Sequence, residues 1–249
     1  MNLMPTTRAL FGYDVIGSSQ TDDDQLEEIR QEAYEFVEEA FEHTGVDLSG
    51  RANYSATGDG SLAAYPEHSL PALIDAAHFL HGQLYLHNKK YLPAVRLRLA
   101  VHTAPIRITE GDSFQRPMIE LARLLDAAPL KEIVRRLNEE RPVTVVAAVS
   151  DQAYRVAVRG GHTRRLLTHD FGELEIANKE FKETCRVWAP GLGSGKIREL
   201  TRPAPTKHPD HGTLPSTQGK QLINNGMQGM GDGMNTGTIV VNGFGGSRQ

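Results

Sequence analysis

Apolar and polar positions alternate along this chain in two rhythms, and the switches between them mark its elements. "RALFGYDVIGSSQTDDD" opens with an apolar and aromatic run, Arg8 to Val15, that stops at Gly17; it predicts a strand. "TDDDQ" supplies acids for a helix start, with Thr21 or Asp22 as cap. Leu26, Ile29, Ala33, Phe36, Val37, Ala40 and Phe41 follow at helical spacing, and that helix closes near His43-Thr44-Gly45. "RANYSATGDGSLAAYP" predicts two short strands around Gly58-Asp59-Gly60, a hairpin signature. An amphipathic helix spans about Ser69 to Lys89. In "AVRLRLAVHTAP", Val95, Leu97, Leu99 and Val101 fall on one face and Arg96 and Arg98 on the other, the pattern of a half-buried strand. "PMIELARLLDAAP" is helical and ends before Pro129, "VTVVAAV" is an apolar strand, and a short helix begins at Ser150. "RLLTHDFGELEIA" and "ETCRVWAP" are the last two strands. The order predicts an α+β or α/β sandwich, one sheet with helices packed on it.

After Pro190-Gly191 the composition shifts to Pro, Gly, Ser and Thr without periodicity, which predicts a disordered linker over 192–220. Residues 221–249 are rich in Gly, Asn and Met around a β-prone core, Thr238 to Val241. The preceding stretch, 6–191, is the expected folded domain. The 249 residues are 39% apolar and 23% charged, with a net charge of −4 and both signs interspersed. That balance suits a core-forming domain and argues against nucleic acid as a partner. Cys185 is the single cysteine, so neither an internal disulfide nor a cysteine metal site is available. Apolar runs fall short of the roughly 20 residues that span a bilayer. "MNLMPTTRAL" lacks the form of a signal peptide, so no membrane association and a cytoplasmic location are expected.

One acid interrupts the first apolar run. Asp14 stands beside the small-residue turn Gly17-Ser18-Ser19, and Asp59 stands between two glycines 45 positions later. If the first strand and the hairpin are neighbours, both carboxylates meet at one edge. Two carboxylates with substrate phosphates are a usual way to hold Mg²⁺. Two such ions clamp the attacking and leaving oxygens of a displacement at phosphorus. Backbone N–H groups of the Gly17-Ser18-Ser19 turn suit phosphate oxygens. The competing reading is a pair of turn-capping acids.

"YDVIGSSQ" and "YSATGDGSLAAYP", followed by "LRLAVHTAPI", "PMIELARLLDAAPL", "SDQAYRVAV" and "NKEFKETCRVWAPG", resemble in order the catalytic domain of the class III nucleotide cyclases, over about three-quarters of the chain. The resemblance implies an α+β, ferredoxin-like sandwich with one mainly antiparallel sheet. It implies a homodimer with sites at its interface, two Mg²⁺ or Mn²⁺ ions per site, and attack of a nucleoside triphosphate's 3′-hydroxyl on its own α-phosphate with loss of pyrophosphate. Asp14 and Asp59 take the places of the metal ligands, and Arg123 that of the transition-state arginine. Tyr54 and Ser55 fall at the first base-reading place and Asp112 at the second; Lys179 or Lys182 falls at the place of a phosphate-binding lysine. Ile119 occupies the place of the family's asparagine, and it has neither donor nor acceptor. Tyr54-Ser55 matches neither the adenine nor the guanine pattern, as in the pyrimidine cyclases of bacterial anti-phage defence.

Two other readings stand beside the enzyme. One is a weak or inactive cyclase-like protein that binds nucleotide as a sensor or scaffold; Ile119 favours it. The other is an interaction protein: "MNTGTIVVNG" is uncharged, free of Pro and β-prone, a composition that permits cross-β stacking. It resembles the amyloid-signalling motifs of some bacterial immune proteins, which implies self-assembly or an amyloid-type partner through 221–246. Bland readings cover the remaining candidates: Arg123 as a surface helix residue, Asp112 as part of a turn, His102 as a packed strand residue, and His78, His81 and His87 as a polar helix face.

Overall fold

Apolar runs without alternation belong to strands covered on both faces, and the first strand is the clearest case. β1 (Thr6–Val15) is buried from Ala9 through Val15 because it lies inside a seven-stranded sheet. A computed structural model of the chain describes residues 4–18, 21–109, 115–178 and 181–201. The elements after β1 are α1 (Asp23–Thr44), β2 (Ala52–Ala56), β3 (Gly60–Pro66), α2 (Leu70–His87), β4 (Leu97–Ile106), α3 (Arg116–Leu125), α4 (Ala128–Glu140), β5 (Val145–Ser150), α5 (Asp151–Ala153), β6 (Gly172–Asn178), β7 (Phe181–Trp188) and α6 (Ser194–Thr201). A π-helical turn, Tyr154–Arg159, extends α5. The sheet order is β2-β3-β1-β4-β5-β7-β6. Among the described strands only β4 and β5 pair in parallel, so the sheet is mainly antiparallel, as expected.

Two apolar layers hold the helices to the sheet. Phe11, Tyr13, Leu97 and Leu99 meet Val37 of α1 and Leu73 and Leu80 of α2 on one face. Leu10, Ala100, Val146 and Val187 meet Leu121 of α3, Ile133 of α4 and Ile197 of α6 on the other. Asp22 is the N-cap residue of α1, although its side chain makes no capping bond; Thr21 Oγ1 instead donates to the Gly17 carbonyl at 3.2 Å. Gly45 ends α1 at φ 80°, a left-handed conformation that glycine adopts without cost.

The structure corrects the sequence expectations at four places. β4 begins at Leu97 and is buried on both faces from Leu99 to Ala104, because β1 and β5 flank it and helices cover both sides. The helical segment after Pro129 is a separate element, α4, whose Leu130, Ile133, Val134 and Leu137 form its buried side. The strand expected from Arg165 starts only at Gly172, after a 3₁₀ turn at Thr168–Asp170. Order also continues into the expected linker: Ile197 of α6 is fully buried, and a Cβ on Gly172 would stand 2.4 Å from it, so α6 and the start of β6 interlock. The described residues fall within the unit Met1–Ala204. The rest of the expected linker and the 221–249 tail lie outside the described residues. Among the described residues, no helix is long and apolar enough to cross a membrane.

Candidate active site

Asp14 lies one residue from the end of β1, opposite Gly60 of β3 and Arg98 of β4. Its neighbours explain how a carboxylate survives there. It is 8% exposed, and Arg98 grips it with two bonds, Nε to Oδ1 at 2.9 Å and Nη2 to Oδ2 at 2.5 Å. Burial pushes the Asp14 carboxyl above its ordinary value, the Arg98 hydrogen bond and charge pull it back, and the negative charge of Asp59 adds to the rise.

Glycine brings Asp59 to the same place. A Cβ on Gly60 would stand 1.8 Å from the Tyr13 carbonyl oxygen, so only a residue without one lets β3 cross this near to β1. The turn is then stitched to the end of β1: the Val15 N–H donates to the Asp59 carbonyl at 3.0 Å. Ser18 Oγ donates to Asp59 Oδ2 at 2.6 Å, and Gly17, at φ 88°, turns the chain toward it. Asp14, Gly17, Ser18 and Asp59, 45 positions apart at the extremes, therefore form one cluster at one end of the sheet.

Three cations surround this cluster that the hydropathy pattern had not marked as functional. Arg98 is the partner of Asp14. Arg96 accepts the Ile16 N–H through its carbonyl at 2.8 Å, and its Nη2 stands 3.9 Å from where a Gly17 Cβ would be. Lys131, in the first turn of α4 and paired with Asp126, contributes its positive charge at Asp14. In sequence, Arg96 and Arg98 signal only the polar side of a strand; the register of β4 against β1 sets Arg98 opposite Asp14. Lys131 has no such signal.

The remaining candidates are distributed less tightly. Ser55 pairs with Leu62 in the hairpin, and exposed Tyr54 carries the Arg51 guanidinium 5.1 Å above its ring. Between them and Ala52 the register slips at Asn53, which sits at φ 50° and donates to the Arg107 carbonyl at 3.1 Å and to Thr109 Oγ1 at 2.7 Å. That bond anchors β2 to the segment leaving β4. On α3, Met118, Leu121, Leu124 and Leu125 face the sheet, whereas Ile119 and Arg123 share the outward side. Ser19, Asp112 and Lys179 lie outside the described residues; Lys182 falls in β7 opposite Ala177. His102 is the packed strand residue expected, with Nδ1 2.9 Å from Ser150 Oγ. On α2, His81 Nδ1 lies 2.7 Å from Thr144 Oγ1 and His87 faces Glu32 at 3.5 Å, so these two belong to packing rather than to a solvated face.

The donor set suits a hard divalent ion. Asp59 keeps Oδ1 outside its bond to Ser18, and each carboxylate oxygen of Asp14 has lone-pair capacity beyond its bond to Arg98. Oxygen donors of this kind, completed by water and phosphate, match Mg²⁺ or Mn²⁺. Among the described residues no group of three or more His, Cys, Asp or Glu side chains is placed to hold an ion.

No family model matches the sequence, and comparison with curated proteins gave no match. Solved structures do match. An adenylate/guanylate cyclase/hydrolase from Silicibacter pomeroyi superimposes with a TM-score of 0.53 at 17% identity, over 75% of this chain and 98% of that one. A bacterial light-regulated adenylyl cyclase superimposes with a TM-score of 0.52 at 13% identity, over 81% of this chain and 58% of that one. The chain thus spans little more than half of the second protein. Together with the mixed seven-stranded sheet and its two helical layers, these likenesses show that the chain has the α+β fold of the adenylate and guanylate cyclase catalytic domains.

Proposed function

We propose that the chain is a nucleotide cyclase, converting a nucleoside triphosphate to its 3′,5′-cyclic monophosphate and pyrophosphate. The observation that carries this reading is the meeting of Asp14 and Asp59 beside the Gly17-Ser18 turn, with Arg96, Arg98 and Lys131 around them. Asp14 and Asp59 would hold Mg²⁺ or Mn²⁺, which when bound neutralises phosphate charge and steadies the attacking and leaving oxygens. The protein's own part is electrostatic. The turn offers backbone N–H groups to phosphate oxygens, and the cations offset the charge of the triphosphate. In this scheme Arg98 holds the Asp14 carboxylate in place and offsets its charge.

Completion of the site by a second copy is supported by α3. Ile119 is 39% exposed and lies one turn from Arg123, an apolar and a cationic group on one outward side. A head-to-tail homodimer would bring that side over the partner's acid pair. Mixing Asp59→Ala with Arg123→Ala, each nearly inactive alone, should restore activity through mixed dimers with one intact site. A mixture that exchanges subunits yet stays as inactive as its components would exclude shared sites.

Ile119 also bears on the rival reading, a cyclase-like protein that binds nucleotide with little turnover. Because Ile119 is on the surface, Ile119→Asn should change stability by no more than about 0.5 kcal/mol. It supplies a donor and an acceptor, and one well-placed donor is worth ~10²–10³ in rate. We expect turnover to rise by about two orders of magnitude; an unchanged rate would show that position 119 takes no part in the chemistry.

For the base, the reading extends to a pyrimidine nucleotide, because Tyr54-Ser55 matches neither the adenine nor the guanine pattern, and with it to a role in anti-phage signalling. Purified protein incubated separately with ATP, GTP, CTP and UTP in the presence of Mn²⁺, with products identified by mass, tests both activity and base. A cyclic pyrimidine nucleotide as main product is expected. A cyclic purine product would overturn the base assignment, and no cyclic product from any of the four would leave the nucleotide-binding reading.

A further inference from the structure

Behind the Gly17 turn, on the α2 side of the sheet, two neighbouring cavities of about 230 Å³ and 440 Å³ share Tyr85, Pro142, Val143 and Thr144 in their lining and are together called the trough. Arg141 lines its first part and Lys89 and Arg96 its second, and no carboxylate lines either. In a chain of net charge −4, three cations without an acid among them are a local reversal of sign. None of the three forms an ion pair with an acid among the described residues. Lys89 Nζ rests 4.2 Å from the Tyr85 ring centroid, and Arg141 Nη2 donates to the Pro190 carbonyl at 2.8 Å. Arg96 Nε is buried without a hydrogen-bond partner, an uncommon and unfavourable state for a charged group. Surface cations in most folded domains are interleaved with acids; a trough that collects cations alone concentrates positive potential and draws anions.

We propose that these cavities are an anion site for a polyphosphate group of the pyrophosphate type, which borders the Asp14/Asp59 cluster at Arg96 and uses none of its acids. The cations are divided between the two cavities, Arg141 in one and Lys89 and Arg96 in the other, so linked phosphates suit them better than orthophosphate or a single carboxylate. Two arginines favour phosphate further, since their planar forks bind its oxygens in pairs. The Arg96 carbonyl holds the Gly17 turn through Ile16, so an anion drawing on the Arg96 guanidinium acts on the same residue that supports the turn. The site goes beyond the cyclisation reading and does not need it: the chain can bind pyrophosphate here whether or not it produces any.

The test is calorimetric titration of the full chain with sodium pyrophosphate in EDTA, at low salt, which removes the metal-dependent mode of the acid cluster. Trp188, the single tryptophan, gives a second readout, because its ring lies 6.5 Å from that of His81 in the trough wall. Saturable binding is expected, weaker by at least about tenfold in Lys89→Ala and in Arg141→Ala, the scale of a lost charge-assisted contact. Lys89 and Arg141 are exposed, so both variants should keep the parent unfolding midpoint; among the described residues the Lys89 side chain makes no hydrogen bond whose loss would confuse the result. Asp59→Ala, at the other cluster, should leave the affinity unchanged. Absence of binding, binding insensitive to both trough variants, or equal affinity for orthophosphate would each overturn the assignment.

Discussion

Asp59→Ala will remove cyclisation, by at least about 10²-fold, and leave the protein folded. Loss of groups that merely orient metal ligands commonly costs 10- to 100-fold, and a ligand itself costs no less. Asp59 is partly exposed, and its side chain makes one bond to Ser18, so its removal should lower stability by only about 1 kcal/mol. Asp14→Ala is a different experiment. The sequence suggests a ligand that can be removed without disturbing the core, but in the structure it strands the Arg98 guanidinium, whose side chain is 14% exposed. Leaving one member of such a pair uncompensated costs about 3–5 kcal/mol. Asp14→Ala should therefore lose both activity and stability, and Asp14→Ala with Arg98→Met should regain much of the stability and none of the activity. Denaturant midpoints and product formation with Mn²⁺ separate the two effects. Parent-like turnover in folded Asp59→Ala would end the metal-ligand reading.

The same environment sets a pH dependence. Burial raises the folded-state value of Asp14 above its unfolded one, so in the interval between them the folded chain binds more protons than the unfolded chain. The Asp14 contribution to stability is then greatest at the acid side of that interval and falls as pH rises through it. Activity should run the opposite way, because a metal ion needs the ionised carboxylate. In Asp14→Asn this part of the stability profile should flatten.

Legibility of the site in sequence followed the range of the interactions that build it. Asp14 beside Gly17-Ser18, and Asp59 between Gly58 and Gly60, are local patterns, and one strand pairing suffices to join them. Arg98 was visible only as the polar side of a strand, because its role depends on the register of β4 against β1, fixed by contacts spread over ten residues of each strand. Helix α4 is hidden in sequence because Pro129 signals a stop, whereas in the structure it occupies a first-turn position where its missing N–H costs nothing. Helix α6 escaped because composition masks its two buried anchors, Ile197 and Leu200, behind Gly, Lys and Arg. For β4, alternation of Leu and Arg at its start was true locally and failed farther on, where helices cover both faces.

Gly60→Ala should be the most disruptive single methyl group in the hairpin. Adding a Cβ to a well-packed core commonly costs about 1–3 kcal/mol, as side chains rotate aside. Here the Cβ would meet backbone, standing 1.8 Å from the Tyr13 oxygen, 2.7 Å from its carbonyl carbon and 2.8 Å from the Asp14 Cα, and none of these can rotate away. Gly12 offers the contrast: its added Cβ would strike the end of the Leu62 side chain at 2.5 Å, a group that can turn. The strain at Gly60 is relieved only if β3 separates from β1 at this end. That movement breaks the bond from the Val15 N–H to the Asp59 carbonyl and carries Asp59 away from Asp14 and Ser18. Gly60→Ala should thus lower stability by about 3 kcal/mol or more and abolish turnover, while Gly12→Ala, destabilising by the ordinary ~1–3 kcal/mol of an overpacked core, keeps the two acids together and retains measurable activity. Amide exchange should show why: in Gly60→Ala the Val15 N–H should lose its protection, whereas in Gly12→Ala it should stay protected. A folded Gly60→Ala protein with parent-like turnover would mean that the approach of β3 to β1 at this point does not hold the two acids together.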